Sequence, residues 1–261
     1  TNPSDSDNNI FIGRLSGGGD WSAGADAGNE YNVCIGNYTM DGTLSGAGYN
    51  TALGYNALGG VTSGDNNIAI GYNAGDGIAG TGNNTAVGVN ALSGVAGADN
   101  TAIGFQAGLT LTGHSNTIAG ANAMYTAAGV DKCVVIGYNA LYTVNDDNAD
   151  GTVAIGYEAG KLVATTVAGA ATAANTLIGY SAGMSQANGS YGLTTGIQNT
   201  AVGHETLGGR GSSDSITGDS NTVMGYRSGA ALEGSASLNT CMGKEAGDTI
   251  TTGSGNTAIG A

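Results

Sequence analysis

The nine residues Asn67-Ile68-Ala69-Ile70-Gly71-Tyr72-Asn73-Ala74-Gly75 decide the fold of this chain. A β-branched residue, a small residue and an aliphatic residue precede the central glycine, and this order favours a short β-strand because such side chains fit a pleated surface. Outward from this stretch, the same motif returns at Gly54 on one side and at Gly88 on the other, at equal separations along the chain. The stretch is therefore one unit of a repeat.

The motif occurs fourteen times, and its glycine, taken as position 0, recurs at intervals of about 16 to 24 residues, a spacing that indicates a repeat architecture. Position −4 is Asn in twelve copies, with Cys133 and Thr152 as the exceptions. Position −3 is always β-branched, position −2 is mostly small, position −1 is aliphatic or Met in thirteen copies, and position +3 is Ala, Ser or Thr. The motif glycines are Gly13, Gly36, Gly54, Gly71, Gly88, Gly104, Gly120, Gly137, Gly156, Gly179, Gly203, Gly225, Gly243 and Gly260.

One strand in each repeat of this length predicts an all-β fold, a parallel β-solenoid of about fourteen coils. A single coil cannot bury its apolar side chains, whereas stacked coils form a continuous core. Positions −1 and −3 share one face of the strand, and positions −2 and −4 share the other. The small residues at −2 allow close approach of another surface, either the far wall of a flat coil or a neighbouring chain. We expect a lead-in over residues 1–8 and a continuous solenoid over 9–261.

Two columns of the repeat have structural explanations. The motif glycine is expected at a corner with positive φ or at a tight backbone approach. A phosphate-cradling role is the alternative, and fourteen equal copies argue against it. The asparagines at −4 are expected to form a column of stacked side-chain amides at a turn.

Composition excludes several classes of protein. The chain has 50 glycines but one proline and no Gly-X-Y period, which excludes collagen. Apolar residues at fixed positions argue against disorder. A formal charge of −14 disfavours nucleic acid as a partner, and no apolar run approaches the length of a membrane span. The start at Thr1 and the last motif copy at the very end indicate a processed piece of a longer fibre.

The runs 67–75 and 100–108 resemble the head repeats of YadA-like trimeric autotransporter adhesins and similar repeats in phage tail-fibre proteins. The resemblance extends over nearly the whole chain. It implies a left-handed parallel β-roll, three chains around one axis, and a surface that binds host components. The coils here are longer than those of the adhesins, and no coiled-coil stalk, barrel anchor or self-cleaving chaperone segment occurs. The expected assembly is a homotrimeric fibre.

Position +1 is aromatic in half of the copies. These rings form a candidate ladder on which a glycan could stack, and the alternative is that the rings stack on each other and shield the edge of the coil. The residues concerned are Tyr55, Tyr72, Phe105, Tyr138, Tyr157, Tyr180 and Tyr226.

One acidic segment suggests a cation site. Asp146, Asn148 and Asp150 place oxygen ligands at alternate positions, as in the first half of a Ca²⁺ loop. Tyr157 stands where an EF-hand has its bidentate Glu, so the predictions are a weak structural Ca²⁺ site or a plain acidic turn. Residues 5–9 are a weaker candidate. No other cofactor is expected.

The sequence offers no recognisable catalytic group. Cys34, Cys133 and Cys241 are at least five coils apart, too far for an intrachain disulfide, and Cys34 and Cys241 occupy the packing position −2. His114 and His204 lie in different copies and outside any nucleophile motif. We therefore predict that the protein is not an enzyme.

The expected function is that of a phage tail-fibre segment on the virion surface or otherwise outside the cell. It would form a rigid rod with a surface that binds a cell-surface receptor or glycan. The alternative is a bacterial surface adhesin or extracellular filament subunit of the same fold. A minor alternative is an ice-binding solenoid, because position −3 is often Thr; the unequal coil lengths argue against the flat array that ice requires.

Three successive coils are enlarged, and their extra length falls within 161–174, 184–198 and 207–220. Insertions in consecutive coils emerge side by side as loops, and loops on a rigid scaffold often bind partners. We expect a lateral bulge there that either contacts a receptor or only thickens the rod. A smaller bulge is expected at 17–28, around Trp21.

Overall fold

The strands are uniformly three residues long and, apart from β8 and β10, occupy positions −3 to −1 of a motif copy. The structure is a computed structural model that describes residues 8–18, 28–145, 149–161, 174–184, 196–208 and 216–261. No α-helix occurs in these ranges. The strands are β1 (Ile10–Ile12), β2 (Val33–Ile35), β3 (Thr51–Leu53), β4 (Ile68–Ile70), β5 (Thr85–Val87), β6 (Thr101–Ile103), β7 (Thr117–Ala119), β8 (Thr126–Ala128), β9 (Val134–Ile136), β10 (Thr143–Asn145), β11 (Val153–Ile155), β12 (Thr176–Ile178), β13 (Thr200–Val202), β14 (Thr222–Met224), β15 (Thr240–Met242) and β16 (Thr257–Ile259).

The first of two compact units, Thr1–Asn122, contains β1 to β7. Each strand pairs in parallel with the next one along the chain. The register joins equal positions of the motif: Ile68 pairs with Thr85, and Ile70 pairs with Val87. The parallel β-solenoid predicted from the repeat is confirmed.

The second unit, Ala123–Ala261, repeats this arrangement with β9 and β11 to β16. Its enlarged coils keep the same register, since Thr176 pairs with Thr200 across the longest interval between motif copies in the chain. A second, two-stranded parallel sheet joins β8 to β10, with Thr126 paired to Thr143. The difference in coil length is therefore absorbed outside the strands.

The core lies between the inward face of the strands and the wall formed by positions +3 and +4. Side chains at −2 from Cys34 to Cys241 are at most 1% exposed, and the alanines at +3 are buried with them. The two walls touch: a Cβ on Gly75, at +4, would lie 3.5 Å from the Ala69 Cβ. The surface that approaches the small −2 column is thus the far wall of the same coil. Neither −2 nor +3 is left to contact a neighbouring chain.

Within the described ranges, no helix is long and apolar enough to cross a membrane. The hand of the coil and the continuity of the solenoid over 9–261 stay predictions.

Candidate binding surfaces

The asparagines at −4 from Asn32 to Asn239 are buried, and the side-chain amides of this column join successive coils. The Asn50 Oδ1 accepts the backbone N–H of Asn67 at 2.9 Å, and the Asn50 Nδ2 donates to the Gly64 carbonyl at 2.8 Å. The same bond recurs along the column: the backbone N–H of each asparagine donates to the Oδ1 of the preceding one at 2.8–3.0 Å. These bonds run from Asn9 to Asn116 in the first unit and from Asn175 to Asn256 in the second. The stack of amides expected from the sequence is present.

A second column of side-chain acceptors lies at position −6 and was missed in the sequence. The Asp65 Oδ1 accepts the Gly48 N–H at 2.7 Å, and the His114 Nδ1 accepts the Ala98 N–H at 2.9 Å. These acceptors bond to the preceding coil, whereas the Oδ1 atoms at −4 bond to the following coil. The column escaped notice because Asp, His and Ser all serve as the acceptor, so no single residue type recurs.

The motif glycines combine a positive φ, between 124° and 144°, with a close approach to the next coil. A Cβ on Gly71 would lie 2.6 Å from the carbonyl oxygen of Gly88, and one on Gly104 would lie 2.5 Å from that of Gly120. Only glycine fits such a position without moving the backbone. Both conditions expected at this column therefore hold, and the glycines act as spacers between coils.

Further positive φ values occur at −5, +2 and +4 of the motif, where the sequence had not predicted them. Asn66, Asn73 and Leu58 have φ of 57°, 51° and 53°. The asparagines at −4 are not among the residues with positive φ, although Asn is a residue that favours that region. The turns are thus made by their neighbours, and the −4 side chains serve the inter-coil bonds instead.

The outward face of the strands carries positions −3 and −1, and none of its side chains is charged. Large aliphatic side chains are prominently exposed, with Leu53 at 45%, Ile70 at 38% and Ile103 at 48%. The face is continuous along each unit because the strands pair at equal motif positions. For a chain with a formal charge of −14, an uncharged row of this kind is a candidate interface.

The aromatic residues at +1 stack on one another. Tyr55 and Tyr72 have ring centroids 5.4 Å apart and planes 12° apart. In the second unit the stack has five members, since His204 fills a gap that the sequence had left between Tyr180 and Tyr226. Phe105 follows Val89 and precedes Ala121 in its column, so the neighbouring copies offer it no ring at +1.

The predicted Ca²⁺ ligands are only partly described. Asp146 and Asn148 lie outside the described residues. The Asp150 Oδ1 accepts the Asp131 N–H at 2.7 Å, which makes this carboxylate a member of the −6 column. Within the described residues, no cluster of three His, Cys, Asp or Glu side chains could hold a metal ion. A weak Ca²⁺ site stays a prediction.

The cysteines are free and buried. Burial raises the pKa of Cys34 and Cys133 to about 12 and raises that of Cys241 as well. The Cys133 Sγ contacts the Ala149 carbonyl oxygen at 3.1 Å in the place of a −4 asparagine. These thiols are packing groups, and the absence of catalysis remains a prediction.

The loops expected to bind a partner lie largely outside the described residues, as do 1–7 and Trp21. Comparison with models of known protein families, with curated proteins and with solved structures gave no match.

Proposed function

We propose that the chain is a segment of a homotrimeric extracellular fibre, a tail-fibre segment of a virion in the first instance, which forms a rigid support for receptor binding. A bacterial surface adhesin or filament subunit of the same fold is the alternative location. The observation that carries the proposal is the uncharged outward face of the strands. Monomeric proteins seldom expose to water a row of large aliphatic side chains such as the one at −1, whereas interfaces bury such rows.

The outward face of the strands also changes which positions are proposed to form the interface between the three chains. The small residues at −2 and +3 were expected to permit close approach of a neighbouring chain, but both columns are buried inside the chain. The remaining uncharged surface is formed by −3, which is mostly Thr, and by the aliphatic residues at −1. In the proposed trimer these positions meet those of the two other chains, and the glycine corner turns position +1 away to the outside.

The mass in solution tests the proposal. We expect light scattering to give three times the chain mass of 25.2 kDa. Ile103→Glu places a charge in the middle of the face and is expected to raise the dissociation constant of the trimer at least tenfold. Val95 is 70% exposed but lies outside the strands, so Val95→Glu is the matched control and should leave the mass unchanged. A monomeric parent protein contradicts the proposal.

A second candidate function, ice binding, is favoured by one observation. Thr occupies position −3 in nine strands, and within each unit the equal register aligns these residues at the strand spacing of about 4.8 Å. Unequal coil lengths had argued against a flat array, but the register removes that objection. Ice binding requires the outward face of the strands to be free of other chains. A monomer that shows thermal hysteresis, lost in Thr85→Tyr/Thr101→Tyr, would therefore replace the fibre proposal.

A further inference from the structure

Five rings follow one another without a gap at position +1 of the second unit. The centroids of Tyr138, Tyr157, Tyr180, His204 and Tyr226 are separated in turn by 5.4, 5.0, 4.8 and 5.4 Å. The first three pairs have planes within 18° of parallel, and the last pair is tilted by 33°. The five residues, called here the ring row, therefore repeat at nearly one strand spacing.

The rings of the ring row present their edges and not their faces, because each inner ring has a neighbouring ring on both faces. A sugar cannot enter between rings that are already in stacking contact, so the stacking of a glycan on these faces, one of the predictions from the sequence, is excluded inside the row. The residues remain accessible, with Tyr138 and Tyr180 both 47% exposed. Among the described residues, the hydroxyls of these tyrosines make no hydrogen bond. The row thus offers four phenolic hydroxyls and, between those of Tyr180 and Tyr226, one imidazole, on rings that follow one another at a nearly regular spacing.

The charged side chains beside the ring row are paired with one another. The adjacent Glu158 carboxylate raises the pKa of the Tyr157 phenol, which therefore stays protonated and can both donate and accept. Lys161 pairs with Glu158 at 2.5 Å, and the Arg227 Nε pairs with Glu205 at 2.5 Å. A ligand of this row needs polar, uncharged groups, and the negative charge of the chain disfavours an anionic one.

We propose that the ring row binds an extended, uncharged β-1,4-linked polysaccharide, which lies along the stacking direction with one sugar beside each ring. In such a chain each pyranose advances by nearly the spacing of the rings, so one sugar lies beside each of the five rings, and a phenol is available at four of these positions. An α-1,4-linked chain coils and loses this match after one or two sugars. The proposal rests on the proposed receptor-binding function, and it names the class of receptor.

The test uses the full chain and soluble oligosaccharides. Titration calorimetry with β-1,4-linked glucose oligomers of two to six units should show affinity that rises with each added sugar up to five, and at least tenfold from two units to six. The α-1,4-linked hexamer has the same composition and should bind at least tenfold more weakly than the β-1,4-linked one. Equal affinity for the two linkages, or no binding of the β-1,4-linked hexamer, overturns the proposal.

Variants separate the hydroxyls from the rings. Tyr157→Phe/Tyr180→Phe keeps the stack but removes two hydroxyls, and we expect about tenfold weaker binding of the β-1,4-linked hexamer. Tyr31 and Tyr49 form a stacked, exposed pair in the first unit, so Tyr31→Phe/Tyr49→Phe is the control and should bind normally. Undiminished binding by the first variant contradicts the proposal. The mass of the trimer is measured separately, so a trimer that binds no oligosaccharide would refute this inference alone.

Discussion

The backbone N–H of Asn67 donates to the side-chain Oδ1 of Asn50, 2.9 Å away in the preceding coil. Asn67 repeats the arrangement toward the following coil, where its Oδ1 accepts the Asn84 N–H at 3.0 Å and its Nδ2 donates to the Thr81 carbonyl at 3.0 Å. The buried Asn67 amide therefore satisfies two backbone groups of the following coil. Because the bond to the Asn84 N–H is buried and the bond to the Thr81 carbonyl is partly buried, these bonds matter more than exposed ones.

Asn67→Ala should lower the free energy of unfolding by about 2–4 kcal/mol, since it leaves the buried Asn84 N–H and the partly buried Thr81 carbonyl without these partners. Chemical denaturation measures the change. Ser63 is exposed in the same coil, and Ser63→Ala should change stability by less than about 0.5 kcal/mol. Equal effects of the two substitutions would show that the amide column contributes little.

Thr152→Asn should stabilise the second unit. The Thr152 hydroxyl is buried without a hydrogen-bond partner, at a position where an asparagine would accept the N–H of Asn175. The gain expected is about 1 kcal/mol, seen as a higher melting temperature. Thr152→Ala removes the unpartnered hydroxyl without adding an acceptor, so a gain as large from Thr152→Ala would mean that no inter-coil bond had formed.

Gly104→Ala should destabilise the first unit by at least about 2 kcal/mol, because it combines a positive φ of 142° with a clash against the Gly120 carbonyl. Gly80 has no positive φ, and a Cβ there would meet only the Ser63 hydroxyl, at 3.2 Å. Gly80→Ala is therefore expected to be nearly neutral. Thermal unfolding of the two variants side by side gives the comparison, and equal losses would contradict the role of the motif glycine as a spacer.

The cysteines should not react in the folded protein. With a pKa of about 12, Cys34 and Cys133 remain neutral thiols at pH 8, and a disulfide-exchange reagent should label three thiols only after denaturation. Above pH 9, the ordinary pKa of a thiol, the unfolded chain loses the thiol protons that the folded chain still holds. The free energy of unfolding should therefore be unaffected by these two thiols below pH 9 and should fall as the pH rises from 9 towards 12. Rapid labelling of the native protein would show that the coils open readily.

Salt should strengthen the proposed trimer. Three chains of −14 give a formal charge of −42, and their repulsion is screened as ionic strength rises. Sedimentation between 10 mM and 500 mM NaCl should show a falling dissociation constant, with the sharpest change at the low end. A dissociation constant that rises with salt would indicate ion pairs at the interface and would contradict contact through an uncharged face.

The sequence predicted the fold well because the repeat constrains side chains that recur as one residue type. Gly71 and Asn67 each belong to a column of this kind, so spacing and composition were sufficient. The −6 column was missed because Asp65 and His114 accept the same inter-coil hydrogen bond with different side chains. His204 was missed in the ring row for a similar reason, since an imidazole stacks like a phenol but was not counted as aromatic.

Which face of the strand lies in the core could not be predicted from the repeat alone. Alternation separates −1 and −3 from −2 and −4, but it does not say which pair lies inside. The answer came from the opposite wall, where Gly75 and Leu58 leave room only for a small side chain such as Ala69. Larger residues at −1, such as Ile70, therefore face outward.

The constant register between coils of unequal length has a consequence for how such a chain can evolve. An insertion between two motif copies lengthens the contour of one coil, but it leaves the advance along the stack at one strand spacing. Thr176 and Thr200, at the ends of the longest coil, stay paired in the same way as Thr85 and Thr101, at the ends of one of the shortest. A gene of this type can therefore acquire new surface segments one coil at a time. Only the gain or loss of a whole motif copy changes the number of strands stacked in a unit.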